Sequence, residues 1–140
     1  MTPLYTAEAT ATGGRHGHAE TSDGVISVNL AIPKAMGGPG GDGMTNPEQL
    51  FATGYAACFG SAVEYVARLE KAPLSAVTIH SKVHIGAKPG GGFQLAVELA
   101  AKLDGVDRAQ AEALVARAHQ VCPYSNATRG NIDVSISVLD

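Results

Sequence analysis

Apolar and polar positions follow two periods along this chain. In the opening third the period is two. Leu4 to Thr12 alternates loosely, is rich in Thr and Ala, and predicts a first strand. Gly13-Gly14 turns the chain into Arg15-His16-Gly17-His18-Ala19-Glu20-Thr21, a polar second strand. Ser22-Asp23-Gly24 is a tight-turn signal, and Val25 to Leu30 alternates again. Together these stretches predict an antiparallel meander. From Pro33 to Gly43 no period survives, and glycines at 37, 38, 40, 41 and 43 predict a flexible loop.

The period then lengthens. Asn46 can cap a helix, Pro47 suits its first position, and Glu48 lies where the helix dipole favours negative charge. The helix is predicted from near Asn46 to about Lys71, with Pro73 stopping it. From Leu50 to Leu69 the residues are apolar or small nearly all the way round, which predicts cover on every face. Val77 to Ile85 alternates cleanly, Lys88-Pro89-Gly90-Gly91-Gly92 turns, and Phe93 to Leu103 is the return strand of a hairpin. Asp107 can cap a second helix, with Gln110 in the capping-box position, running to about Val121 and ended by Cys122-Pro123. Ile132 to Val138 makes a final strand.

The order βββ-α-ββ-α-β predicts an α+β fold, antiparallel sheets packed on one long apolar central helix, as a single domain over residues 1–140. A handful of short strands covers chiefly one face of such a helix. A second copy of the chain would cover the rest, so a homodimer is expected.

Composition narrows the partners. With 140 residues, 45% of them hydrophobic and 16% charged, the chain can build a real core. A formal net charge of −3 gives no electrostatic reason to expect nucleic acid or an anionic membrane. No uncharged apolar run approaches the ~20 residues of a membrane span. Met1-Thr2-Pro3-Leu4-Tyr5 has neither the basic nor the apolar region of a secretory signal, so a cytoplasmic location is expected.

Several motifs invite chemistry that their context does not support. Gly38-Pro39-Gly40-Gly41-Asp42-Gly43 spells G-x-G-x-x-G, but the dinucleotide fingerprint needs a strand directly before it and a parallel crossover. Asn126-Ala127-Thr128 is a glycosylation sequon without a secretory context. His16 and His18 on a strand, with His119 and Cys122 at a helix end, do not match a standard zinc spacing, and no metal is expected. His80 and His84 sit among polar residues and read as surface.

The two cysteines, Cys58 and Cys122, remain. In a reducing compartment a pair is more often catalytic or redox-active than a structural staple. Yet Cys58 lies inside the apolar run, where a free cysteine is often plain core filling. Nucleophilic sulfur chemistry needs the thiolate, and apolar burial disfavours it. Cys58 can be reactive only if a fixed cation reaches it. Arg15, beside the Gly13-Gly14 pair, is a candidate, and Glu48 is the natural carboxylate to hold it.

Three stretches carry a resemblance. Thr12-Gly13-Gly14-Arg15, then Thr45 to Phe51 with Tyr55-Ala56-Ala57-Cys58-Phe59, and the long block from Ala118 to Ile132 closely resemble the organic hydroperoxide resistance proteins, the Ohr branch of the Ohr/OsmC family. The likeness covers essentially the whole chain. It implies an intertwined α+β homodimer with its sites at the subunit interface, acting as a cysteine-based, lipoyl-dependent peroxidase on organic hydroperoxides. Cys58 would be the peroxidatic thiolate and pass through a sulfenic acid, and Cys122 would resolve it to a disulfide. Arg15 would lower the pKa of Cys58, Glu48 would fix Arg15, and a dihydrolipoyl group on a partner protein would be the reductant.

One geometric expectation adds to this. Glu48 and Cys58 lie ten positions apart, about 15 Å along a continuous helix. Either the helix breaks, with Gly54 the candidate, or Glu48 serves the thiol of the other subunit, which is the arrangement expected. The alternatives are an OsmC-like peroxidase of broader specificity and a non-catalytic redox-sensing module for apolar ligands.

Overall fold

The meander exists, but its strands are shorter than the alternation suggests. The computed structural model describes residues 1–140, which fall into two compact units, Met1–Leu50 and Phe51–Asp140. In the first unit β1 (Ala9–Thr12), β2 (His18–Thr21) and β3 (Ser27–Asn29) pair antiparallel in that order, with Thr12 opposite His18 and His18 opposite Asn29. Leu4 and Tyr5 are exposed, so the alternation ahead of Ala9 has no surface in one chain to pack on. Arg15 is not in a strand either. It sits in a 3-10 turn, Gly14–His16, because Gly13 and Gly14 take left-handed φ values of +81° and +56° and bend the chain there.

The glycine-rich stretch is more ordered than its composition predicts. A 3-10 turn occupies Lys34–Met36, and the N–H groups of Gly38 and Gly40 donate back to the carbonyls of Pro33 and Ile32. Thr45 then returns to the end of the meander, donating to the Asn29 carbonyl and accepting from the Ala31 N–H.

Helix α1 (Pro47–Glu70) begins as its sequence requires, with Asn46 Oδ1 accepting from the Gln49 N–H at 2.9 Å. It runs unbroken through Gly54. It ends one turn before Pro73 could act, where Lys71 takes φ +55° and the Ala72 N–H donates to the Ala67 carbonyl. Within the single chain only one face is buried: Tyr55, Phe59, Ala62, Val63, Val66 and Ala67. Their spacing is that of an amphipathic stripe. Tyr65 and Leu69 stay 47% and 60% exposed, so the expected cover on every face is not supplied by one chain.

The second unit carries the long hairpin, β4 (Ala76–Ala87) and β5 (Phe93–Asp104), with Ala76 opposite Asp104 and Ala87 opposite Phe93. Helix α2 (Arg108–Val121) has the predicted box: Asp107 accepts from the Gln110 N–H, and Gln110 reaches back to the Asp107 N–H. Pro123 ends α2 but does not open a loop. It takes the first position of a further short helix, α3 (Pro123–Thr128), which the apolar pattern does not predict. The last strand, β6 (Val134–Val138), pairs with β5 in parallel, so this sheet is mixed rather than purely antiparallel. The α2–α3 crossover is what permits a parallel return. Val97, Leu99 and Ala101 of β5, Leu114 and Val115 of α2, and the buried stripe of α1 form one core. No helix is long and apolar enough to cross a membrane.

Candidate active site

The four expected site residues form two pairs, one in each unit. In the first, the 3-10 turn aims Arg15 at the start of α1. Gly17 lets the chain return so tightly, since a Cβ there would lie 1.7 Å from the Thr12 carbonyl oxygen. The Arg15 guanidinium makes a two-pronged contact with the Glu48 carboxylate, Nη1 to Oε2 at 2.8 Å and Nη2 to Oε1 at 2.6 Å. Both side chains are largely shielded, 31% and 13% exposed. The hydrogen bonds from Arg15 hold the Glu48 carboxyl below its ordinary range, against burial, and Glu48 in turn raises Arg15. The guanidinium is therefore a fixed cation at neutral pH.

In the second unit Cys58 and Cys122 are free thiols whose sulfurs lie 3.5 Å apart. Cys58 is half-buried on α1, while Cys122 is fully buried at the joint of α2 and α3. Burial is the chief cause that pushes the Cys58 thiol above its usual pKa. The Tyr124 backbone N–H pulls the other way, and Cys122 adds to the rise because two close sulfurs resist a second negative charge. Oxidation, by contrast, is easily served by this pair, since a sulfenic acid on one sulfur would sit beside the other.

A model of the OsmC-like protein family matches residues 40–137. An organic hydroperoxide resistance protein of Xanthomonas axonopodis pv. citri is 57% identical over 136 residues, covering 96% of this chain and 94% of its own. The chain belongs to the organic hydroperoxide resistance branch of the Ohr/OsmC family. Solved structures carry the same likeness. That of an organic hydroperoxide resistance protein from Legionella pneumophila superposes with a TM-score of 0.94 at 54% identity, over 99% of this chain and 100% of that one. The one from Elizabethkingia anophelis gives 0.94 at 49% identity, over 100% and 99%. The Ohr fold is thus the fold of this chain.

His18 contacts Asn29 and Ser27 on the surface. His119 is turned inward with Nδ1 unpartnered, and burial, helped by Arg129, lowers its pKa. Two features near the thiols went unread in the sequence. One is the Tyr124 N–H, a backbone donor that no side-chain pattern reveals. The other is a buried hydroxyl cluster of Tyr55, Ser125 and Thr128.

Proposed function

We propose that this chain is a thiol peroxidase that reduces alkyl or fatty-acid hydroperoxides to alcohols. The observation that carries the reading is the 3.5 Å approach of two free sulfurs, one half-exposed and one buried. Cys58 as thiolate attacks the distal oxygen of the hydroperoxide. An S–O bond forms, the O–O bond breaks, and the departing alkoxide takes a proton to become the alcohol. Cys58 is left as a sulfenic acid. The Cys122 sulfur, giving up its proton, attacks it, forms the disulfide and expels water. From 3.5 Å to a bond of about 2.05 Å the sulfurs must close by about 1.5 Å. A dihydrolipoyl group on a partner protein then reduces the disulfide by exchange and leaves as the cyclic disulfide, so two electrons pass from dithiol to peroxide.

Burial opposes the thiolate, and the Arg15 cation answers that opposition. Fixed by Glu48, it lowers the pKa of Cys58 and stabilises charge on the leaving oxygen. We assign it to the thiols of the other subunit of a homodimer. With α1 unbroken, ten positions separate Glu48 from Cys58, about 15 Å of helix. The exposed Tyr65 and Leu69 on α1 are apolar surface that a second copy would cover.

Steady-state turnover of cumene hydroperoxide, with dihydrolipoamide compared against thioredoxin, tests the reading. Dihydrolipoamide should sustain turnover and thioredoxin should not, and Cys58→Ser should abolish it. A wild-type chain that consumed the hydroperoxide no faster than Cys58→Ser or the dithiol alone would favour the non-catalytic, sensing alternative.

A further inference from the structure

Helix α3 spans six residues, Pro123–Thr128, far below the ~12–15 at which an isolated helix becomes even marginal in water. Its position must be imposed by tertiary contacts, and so must that of Cys122, the residue that both closes α2 and opens α3. The imposed contact is a chain of hydroxyls. Tyr55 Oη lies 2.9 Å from Ser125 Oγ and 3.1 Å from Thr128 Oγ1, and Thr128 Oγ1 donates to the Tyr124 carbonyl at 2.9 Å. Proton accounting fixes the order: Ser125 donates to Tyr55, Tyr55 to Thr128, and Thr128 to Tyr124. Tyr55 and Ser125 are fully buried and Thr128 is 5% exposed, so none of these groups has water as a substitute partner.

The chain connects the two cysteines by short steps. Tyr55 is three residues before Cys58, on the adjacent turn of α1, and Ser125 is three residues after Cys122. Its terminus, Tyr124, is also the residue whose N–H faces the Cys58 sulfur. The Tyr124 ring packs against Phe51 and Tyr55 with centroids 5.8 and 5.7 Å away. Gly54 permits that approach, as a Cβ there would come within 2.9 Å of the Tyr124 hydroxyl.

We propose that Tyr55 is a positioning residue for the resolving step: its buried hydroxyl pins α3 to α1, so that Cys122 is held within reach of Cys58 once Cys58 is oxidised. The proposal rests on the peroxidase reading above. Tyr55 touches no reacting atom. Its role falls on the second step, in which the Cys122 sulfur attacks the Cys58 sulfenic sulfur, the S–S bond forms and water leaves. The first step, oxidation of Cys58 by hydroperoxide, needs no movement of α3.

The two steps separate in single-turnover experiments with one equivalent of cumene hydroperoxide. Dimedone trapping in a Cys122→Ser background reads sulfenic acid formation, and loss of free thiol in the Cys122 protein reads closure. Tyr55→Phe should leave the first rate within about twofold and slow closure roughly tenfold, the scale of a buried hydrogen bond left unmade. Thr128→Val should show the same split and Thr128→Ser should restore wild-type closure. Sulfinic acid at Cys58 should accumulate under excess hydroperoxide in the slow variants. Unchanged closure in Tyr55→Phe, or an equal loss in both steps, would overturn the proposal. If Tyr55→Phe does not fold, the Thr128 pair decides it by the same split. A wild-type protein that consumed no hydroperoxide would instead remove the peroxidase reading itself.

Discussion

The Arg15–Glu48 pair and the Cys58–Cys122 pair are built from unlike materials. One is an ion pair, made by a tight turn and a helix start, in which each partner strengthens the charge of the other. The other is a pair of free thiols packed at the apolar core, where burial and the neighbouring sulfur both push the Cys58 thiol up. Each is chemically incomplete. A fixed cation with its carboxylate has no nucleophile, and a buried thiol without a cation has too little thiolate to attack a peroxide. The proposed homodimer puts the two kinds of half together, and the substitutions at Cys58, Arg15 and Glu48 below ask one half to act without the other.

The largest effect belongs to the nucleophile. Cys58→Ser should bring organic hydroperoxide turnover to background in a coupled assay with dihydrolipoamide. Arg15→Met comes next. Loss of the cation should lower the rate of Cys58 oxidation at neutral pH by about 10²–10³, the scale for removing one preorganised stabiliser of developing charge. Because burial already pushes the thiol up, the rate in this variant should recover as pH rises, following the thiolate. A stopped-flow pH profile superimposable on that of the wild type would separate Arg15 from the thiol chemistry. Complementation sharpens the point: Cys58→Ser and Arg15→Met chains, inactive and nearly inactive alone, should regain up to about one site's activity per mixed dimer when refolded together, half that of the wild-type dimer, since one of the two mixed sites is intact. Mixtures that stay inactive would place the two pairs in one subunit.

Glu48→Gln is milder, roughly tenfold in rate, because the guanidinium keeps its charge and loses only its two-pronged anchor. It also carries a stability signature. The folded Glu48 pKa is depressed, so its contribution is present above the unfolded carboxylate range and is lost as pH falls through the lower folded value. Chemical denaturation should therefore show the wild type about 1 kcal/mol more stable than Glu48→Gln at neutral pH. The two should converge in acid. Asp107→Ala is the control in the opposite sense. It removes the α2 capping box, should cost about 1 kcal/mol in the same assay, and should leave the rate of Cys58 oxidation unchanged.

What the sequence disclosed follows the range of the interactions. The Asp107–Gln110 box, the Lys88–Gly92 turn and the Asn46 cap are legible because their partners lie within four residues. The meander's strands are shorter than the alternation predicts because Ala and Thr alternate without marking a buried face, and the glycines at 13 and 14 place Arg15 in a turn. Helix α3 leaves no separate mark in the sequence because Pro123 ends one helix and begins another with the same ring. At the site, the residue types and the family resemblance pointed to Cys58, Cys122, Arg15 and Glu48. The Tyr55 hydroxyl chain joins residues 70 and 73 apart, and no local pattern encodes it.

The central claim is that Cys58 and Cys122 act as one redox unit. Peptide mass analysis after one equivalent of cumene hydroperoxide, without added reductant, tests it most directly. The account predicts one Cys58–Cys122 disulfide within each chain, fully reversed by dihydrolipoamide, and a Cys58 sulfenic acid when Cys122 is replaced by Ser. Hydroperoxide consumed with both thiols still reduced, or with Cys122 oxidised while Cys58 stays free, would contradict it.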